Sequence, residues 1–336
     1  AMYYIGPALV LLVWQSLVGV ILALLLCRVA NTVSYAWLVR RDLPGLTPRL
    51  PRWSLVGPLV RMGGWMSASG VLTQALLYAD RFLIGALLTL AAVAYYATPL
   101  DLVMRMWILP VAVAQALLPA MASAYATHAA ATAGLLRRGA LLVMAAVLPA
   151  CLVLVAFGPE VLRLWLGAEF AVGGGRVLQI LSVGIFFSCA AFAPGALLDA
   201  IGRPDVNAKW QLAQAAIFLP LSALGLLAFG IEGAAAAWAA RCATDAAGRL
   251  YFVARLYPAA RDAARALAAP LAVGGAGLAA LLPFLSVTTL IALALIAALA
   301  FATASVVALT AEERRDARTL LRRPWRLRAV LRGEPA

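Results

Sequence analysis

Unbroken apolar sequence limits this chain more than any other feature. A helix needs about 20 mostly apolar residues to cross roughly 30 Å of hydrocarbon. Stretches of that kind occur at 17–39, 56–86, 91–126, 134–157, 175–199, 205–229, 232–256, 266–283 and 286–310, and residues 2–14 read as the tail of one more. Only helices and closed barrels satisfy their backbone without water, and the short alternating segments of a barrel are absent. The expected fold is therefore all-α: a polytopic membrane helix bundle of nine full spans plus one partial N-terminal span. Composition agrees, at 65% apolar and 12% charged residues, against about 45–50% and 25% in soluble domains. A net charge of +13 would suggest nucleic acid in a soluble chain. In a membrane chain its distribution among loops matters instead, and no nucleic acid is expected.

Basic residues set the orientation, because short cytoplasmic loops carry an excess of Lys and Arg. With the 40–53 connection in the cytoplasm, 19 of the 27 Lys and Arg fall on that side, in the connections of Arg40, Arg137, Arg203 and Arg255 and in the tail from Arg314. Only Arg163 and Arg176 fall on the other side; Arg28, Arg61, Arg81, Arg105, Arg241 and Arg249 lie within spans. The expected location is the inner (plasma) membrane, multi-pass, with a cytoplasmic C-terminus. Pro and Gly mark the joints: Pro44 to Pro51, Gly173 to Gly175, and Gly202 with Pro204, Pro suiting a first helical turn. The tail places Leu320, Leu327 and Leu331 on nearly one face among its arginines. It reads either as a helix on an anionic leaflet or, given Pro324, as an unstructured stop-transfer tail.

The sequence offers little chemistry. Cys27, Cys151, Cys189 and Cys242 sit in apolar stretches without metal-ligand spacing and read as packing residues. His128, the single histidine, reads as a solvated loop residue. The outward loops carry only Glu160, Glu169 and Glu232 as acids, without the paired carboxylates that hold a divalent metal in a sugar transferase. No catalytic residue, metal or cofactor is expected.

Charges within the spans ask for partners, because an ionised side chain at mid-bilayer costs at least about 2.5 kcal/mol. In the 91–126 stretch Thr98, Asp101, Arg105 and Gln115 form one polar stripe, with Asp101 and Arg105 at i, i+4 pairing distance. In 232–256, Arg241, Asp245 and Arg249 form a ladder with one positive charge left over. Arg61, Trp65, Ser69, Thr73 and Asp80 share a face of 56–86, and Asn207, Gln211 and Gln214 share one of 205–229. Asp80 is expected to face inward, with Arg81 either its counter-ion or an outer-leaflet contact. Two readings stand: static interhelical glue, or a water-filled cleft whose arginines grip phosphate. Pro99, Pro110 and Pro119 are expected to bend the 91–126 rod.

Two blocks carry a family resemblance. The stretch from GGWMSASG at Gly63 to MASAYA at Ala126, and the block at 162–241 with LRLWLGAEFA, LLDAIGRPD (Leu197 to Asp205) and GIEGAAAAWAAR, resemble polysaccharide flippases of the multidrug/oligosaccharidyl-lipid/polysaccharide exporter superfamily. The resemblance implies the C-terminal bundle of a two-bundle transporter fold with part of the N-terminal bundle. It places Ala1 near the end of the fifth span of a fourteen-helix member. It also implies this division: 1–39 a remnant of the N-terminal bundle, 40–55 a basic cytoplasmic linker, 56–256 a C-terminal six-helix bundle, 257–310 two additional spans, and 311–336 a basic tail. The implied cargo is an undecaprenyl-diphosphate-linked oligosaccharide, with membrane lipids and a polysaccharide polymerase machinery as partners. Expected substrate contacts are Arg105, Arg241, Arg249, Asp80, Asp101, Asp245, Gln211, Gln214 and Thr73. A cation-coupled drug exporter, with Asp80, Asp101 and Asp245 as ion carriers, and a membrane enzyme on lipid-linked sugars are the alternatives. An arginine within four residues of each of those acids favours permanent pairing over easy protonation.

Overall fold

A computed structural model describes residues 10, 17–42, 53–283, 287–311 and 313–315. Most of the 2–14 stretch, the connection at 43–52 and the tail from 316 lie outside the described residues, as do the side chains of Arg61 and Ser69. The chain divides into two compact units, residues 1–58 and 59–336. In the first, α1 (Leu17–Asp42) exposes most of its apolar side chains and closes with Arg41 over the Trp37 ring at 5.5 Å. Helix α2 (Trp53–Leu87) begins in that unit and runs into the second.

The second unit continues with α3 (Leu90–Met104), a 3₁₀ turn (Arg105–Trp107), α4 (Ile108–Ala124), α5 (Ala129–Leu166), α6 (Ala168–Ala190), α7 (Phe192–Ala200), α8 (Pro204–Leu256), α9 (Arg261–Leu281) and α10 (Val287–Ala308). The described residues contain no strand, and the protein is a polytopic all-α membrane bundle. Eight helical stretches are long and apolar enough to cross a membrane. One of them, α8, has 53 residues and would be about 80 Å long if straight, far beyond one bilayer. It breaks at Gly230, whose φ of 63° suits a residue without Cβ, and so supplies two spans. The halves of α8 touch at Gly225 and Gly233, where a Cβ on Gly233 would stand 2.0 Å from the Gly225 carbonyl oxygen.

Two local expectations need correction. The 91–126 rod is not one bent helix but α3 and α4 separated by the 3₁₀ turn. Pro110 has no N–H to give the Met106 carbonyl and its ring crowds that turn, so the backbone tightens just before it. The triple glycine at 173–175 is not a joint either, since α6 already begins at Ala168. Its glycines are contact points: a Cβ at Gly174 would lie 2.9 Å from the Tyr95 carbonyl oxygen, and one at Gly175 3.0 Å from the Pro159 ring. Small residues let membrane helices approach closely, and here they seat α6 against α3 and α5. Cys151, Cys189 and Cys242 are buried in the packed interior that α5, α6 and α8 share. His128 is exposed at the start of α5, its ring beside the Thr127 hydroxyl at 2.9 Å.

Candidate functional site

Helix α8 carries amides on one face of its first half and alternating charges on one face of its second, and the break at Gly230 folds these faces toward each other. Between them, α2, α4, α6 and α7 close a hollow of about 380 Å³. Thr73, Gln115, Asn207, Gln211, Gln214, Arg241, Asp245 and Arg249 line it, together with Asp199, Ser188 and Trp107. Its size falls within the ~300–1,000 Å³ of ligand clefts.

The charges are held by a continuous set of hydrogen bonds. Arg249 Nε donates to both Asp245 oxygens at 3.0 Å, and Arg249 Nη1 donates to Asn207 Oδ1 at 3.2 Å. Asn207 Nδ2 in turn donates to Asp199 Oδ1 at 2.8 Å and to the Gly195 carbonyl at 3.2 Å. The guanidinium fits because position 195 is glycine: a Cβ there would lie 2.4 Å from Arg249 Nη1. Nearby, Gln211 Nε2 donates to Thr73 Oγ1 at 2.8 Å and Trp107 Nε1 to Ser188 Oγ at 3.1 Å. With its amide turned to satisfy both ends, Gln214 accepts from the Asp245 backbone N–H at 3.1 Å and the Trp210 indole at 3.2 Å.

Arg241 differs from Arg249. Among the described residues it has no ion pair and no hydrogen-bonded carboxylate, yet it lines both this hollow and a narrow recess beside Asp80 and Ser222. Asp80 is buried and accepts from Ser222 Oγ at 2.8 Å and Tyr96 Oη at 3.1 Å. Its neighbour Arg81 turns to Asp101, with its guanidinium 5.3 Å from the Tyr78 ring centre.

Several expected placements therefore change. Asp101 pairs with Arg81 and not with Arg105, and neither Asp101 nor Arg105 lines the hollow. The 3₁₀ turn begins at Arg105 and alters the helical phase, so the stripe splits: Gln115 reaches the hollow and the two charges stay exposed outside it. Arg81 is the counter-ion of Asp101 and not of Asp80. Nor is the hollow a corridor of positive charge, since its lining carries Asp199 and Asp245 against Arg241 and Arg249. Thr73, Gln211, Gln214, Arg241, Asp245 and Arg249 do come together around one space.

Several participants were not singled out from sequence, among them Ser188 beside Trp107. Ser222 lies about 60° from Asn207 on the α8 wheel, so its face was legible. Asp199, Tyr96 and Trp107 meet the site through tertiary contacts that no helical wheel displays. The flanking LLDAIGRPD segment forms the end of α7 and the start of α8: Gly202 turns at φ 76°, Pro204 takes the first helical turn, and Asp205 bonds Arg203 Nε at 2.9 Å and Lys209 Nζ at 3.2 Å.

Comparison with known proteins adds a family. A model described as "Polysaccharide biosynthesis protein" matches residues 2–172. A Shigella flexneri protein named as a candidate O-antigen transporter is 24% identical over 240 residues, which cover 71% of this chain and 57% of that protein. The chain thus matches just over half the length of that relative. No solved structure matches the chain.

Proposed function

Because the chain belongs to the polysaccharide biosynthesis protein family, we propose that it works as part of a flippase that moves an undecaprenyl-diphosphate-linked oligosaccharide across the bacterial inner membrane. No bond in the cargo is made or broken, so the protein is a transporter and not an enzyme. The observation that carries this reading is the mixed polar lining of a hollow at membrane depth. Amides, carboxylates, guanidiniums and an indole around one space match the donors, acceptors and flat faces of sugars. Gln115, Gln211, Gln214, Thr73 and Trp107 are the sugar contacts in this reading. Arg241, which forms no ion pair among the described residues, is the group for phosphate or hydroxyl oxygen. Arg249 and Asp245 hold the wall in place. Arg105 and Asp101 have no substrate role here. In this reading the basic helix ends and the C-terminus face the cytoplasm, the side from which the cargo is taken up.

The test is Arg241→Gln in a strain lacking its own copy, with the gene carried at its full coding length. Surface polysaccharide on gels is expected to fall at least tenfold while membrane-inserted protein stays at the normal level. Normal polysaccharide with Arg241→Gln would remove the arginine from the mechanism.

A second reading has one specific observation in its favour. Asp80 is bound by hydroxyls and not by the adjacent Arg81, and among the described residues it makes no ion pair with Arg241, which lines the same recess, so the pairing expected from sequence spacing does not hold at this position. A coupling role for Asp80, with a proton or cation taken up as the cargo moves, rests on that contact. Transport that continues unchanged in Asp80→Asn vesicles across imposed ion gradients would remove it.

A further inference from the structure

A second hollow, of about 590 Å³, opens on the other face of the second half of α8. Phe187, Ala247 and Leu250 form one wall; Ala268 and Leu271 of α9 form the other. Arg255, Arg261 and Arg265 line it as well, all close to the joint between α8 and α9. They sit in the last turn of α8 and the first two turns of α9. On α9 the lining positions from Arg261 to Ala272 share an arc of about 120°.

Length and charge decide what fits. On the α8 wall the lining runs from Ala243 to Arg255, 12 helical steps or about 18 Å at 1.5 Å per residue, close to the ~15 Å half-thickness of the hydrocarbon. An apolar slot one leaflet deep, ending in three guanidiniums, is shaped for a molecule with a single-leaflet tail and an anionic head. None of these arginines has an ion pair among the described residues. Arg261 is steadied by its bond from Nε to the Ala254 carbonyl at 3.3 Å. Guanidiniums bind phosphate oxygens in pairs, and anionic lipids already concentrate near basic juxtamembrane groups. The chain's own C-terminal segment is a poor occupant, since residues 316–336 carry arginine after arginine and would repel the cluster.

We propose that this groove is a binding site for one anionic phospholipid of the adjacent leaflet, its phosphate at Arg255, Arg261 and Arg265 and an acyl chain between α8 and α9. The site is separate from the polar hollow and does not depend on the transport reading.

Native mass spectrometry of the full chain in detergent tests it, with dioleoyl-phosphatidylglycerol, dioleoyl-phosphatidylcholine and undecaprenyl diphosphate titrated separately and in competition. The expected result is one phosphatidylglycerol bound at least tenfold more tightly than phosphatidylcholine. Arg255→Gln with Arg265→Gln is expected to erase that preference, and Ala268→Phe to lower occupancy by filling the slot. Arg163→Gln, on an exposed arginine outside the groove, is expected to leave both unchanged. Equal affinity for the two phospholipids, or a preference that survives the double substitution, overturns the site. Displacement of phosphatidylglycerol by equimolar undecaprenyl diphosphate also overturns it, because the groove would then belong to the cargo. If Ala268→Phe does not fold, the exposed arginine pair still decides the question.

Discussion

The second half of α8 presents two faces of opposite design. Arg241, Asp245 and Arg249 look into the polar hollow, while Ala243, Ala247, Leu250 and Ala254 look into the groove, roughly 170° around the same helix. On the first face Arg249 is locked by both oxygens of Asp245 and by Asn207. On the second, the arginines stand at the end of the wall with no carboxylate partner among the described residues. Burial explains the difference. Charge buried deep in a bundle is costly unless it is matched, as Arg249 is, whereas charge with access to water or headgroups can stay available to a ligand. The first face holds a shape through Arg249 and Asp245 and leaves only the half-buried Arg241 without an ion pair among the described residues; the second leaves three such arginines.

The largest expected effect comes from breaking the locked pair. Arg249→Met leaves Asp245 uncompensated where its side chain is 15% exposed, and loss of one partner of a buried pair costs about 3–5 kcal/mol. Melting of the detergent-solubilised protein is expected to drop by several degrees. Arg249→Met combined with Asp245→Leu should recover much of the loss. No change in Arg249→Met alone would mean that water enters the hollow freely and that the two faces are electrostatically alike.

An intermediate effect is expected at the basic end of the bundle, where one cluster is paired and the other is not. Thr310 and Glu313 form a capping box: the Thr310 N–H reaches Glu313 Oε2 at 2.9 Å and the Glu313 N–H reaches Thr310 Oγ1 at 3.3 Å. The same carboxylate takes Arg137 Nε at 2.7 Å and Arg138 Nε at 3.0 Å. Burial pushes the Glu313 carboxyl up, but Arg137, the Thr310 amide and Arg138 outweigh it and hold the group at about 2. A folded value below the unfolded one gives stability that is full above the unfolded value and fades as pH falls from about 4.5 toward about 2. Glu313→Gln is expected to cost about 2–3 kcal/mol at neutral pH, from about 1.36 kcal/mol per unit, and to flatten the acid limb of the melting curve. An unchanged acid limb in Glu313→Gln would show that this contact does not hold the chain after α10 against α5.

What the sequence could reveal follows from how local each contact is. Spans rest on length and apolarity, so α1 and α10 were legible nearly to their ends, and the division of α8 was legible as two stretches, 205–229 and 232–256, on either side of Gly230. The polar face of α8 was legible because Asn207, Gln211 and Gln214 repeat with the helix. The Asp101–Arg81 pair was not, because i, i+4 spacing proposes Arg105 while the actual partner lies 20 residues earlier on another helix. Glycine is ambiguous in the same way. Gly173 to Gly175 read as a joint, and only the neighbouring Tyr95 and Pro159 show them to be a contact surface inside a helix. Glu313 was invisible among the tail's charges, since its partners Arg137 and Arg138 are about 175 residues away.

The smallest expected effect is the sharpest test of the comparison. Arg255→Gln in lipid-free detergent removes a full positive charge but no hydrogen bond or ion pair of the described structure, so stability is expected to move by no more than about 0.5 kcal/mol. Any shift is expected to be upward, because Arg261 and Arg265 lose a like-charged neighbour across the groove. Added anionic phospholipid stabilises a site only through what it binds in the folded state, so the wild type is expected to melt higher with phosphatidylglycerol while Arg255→Gln gains less. A large loss in the lipid-free protein would mean that Arg255 already has a structural partner. The two faces of α8 would then both be scaffolding, and the difference between a matched and an available charge would have to be sought elsewhere in the bundle.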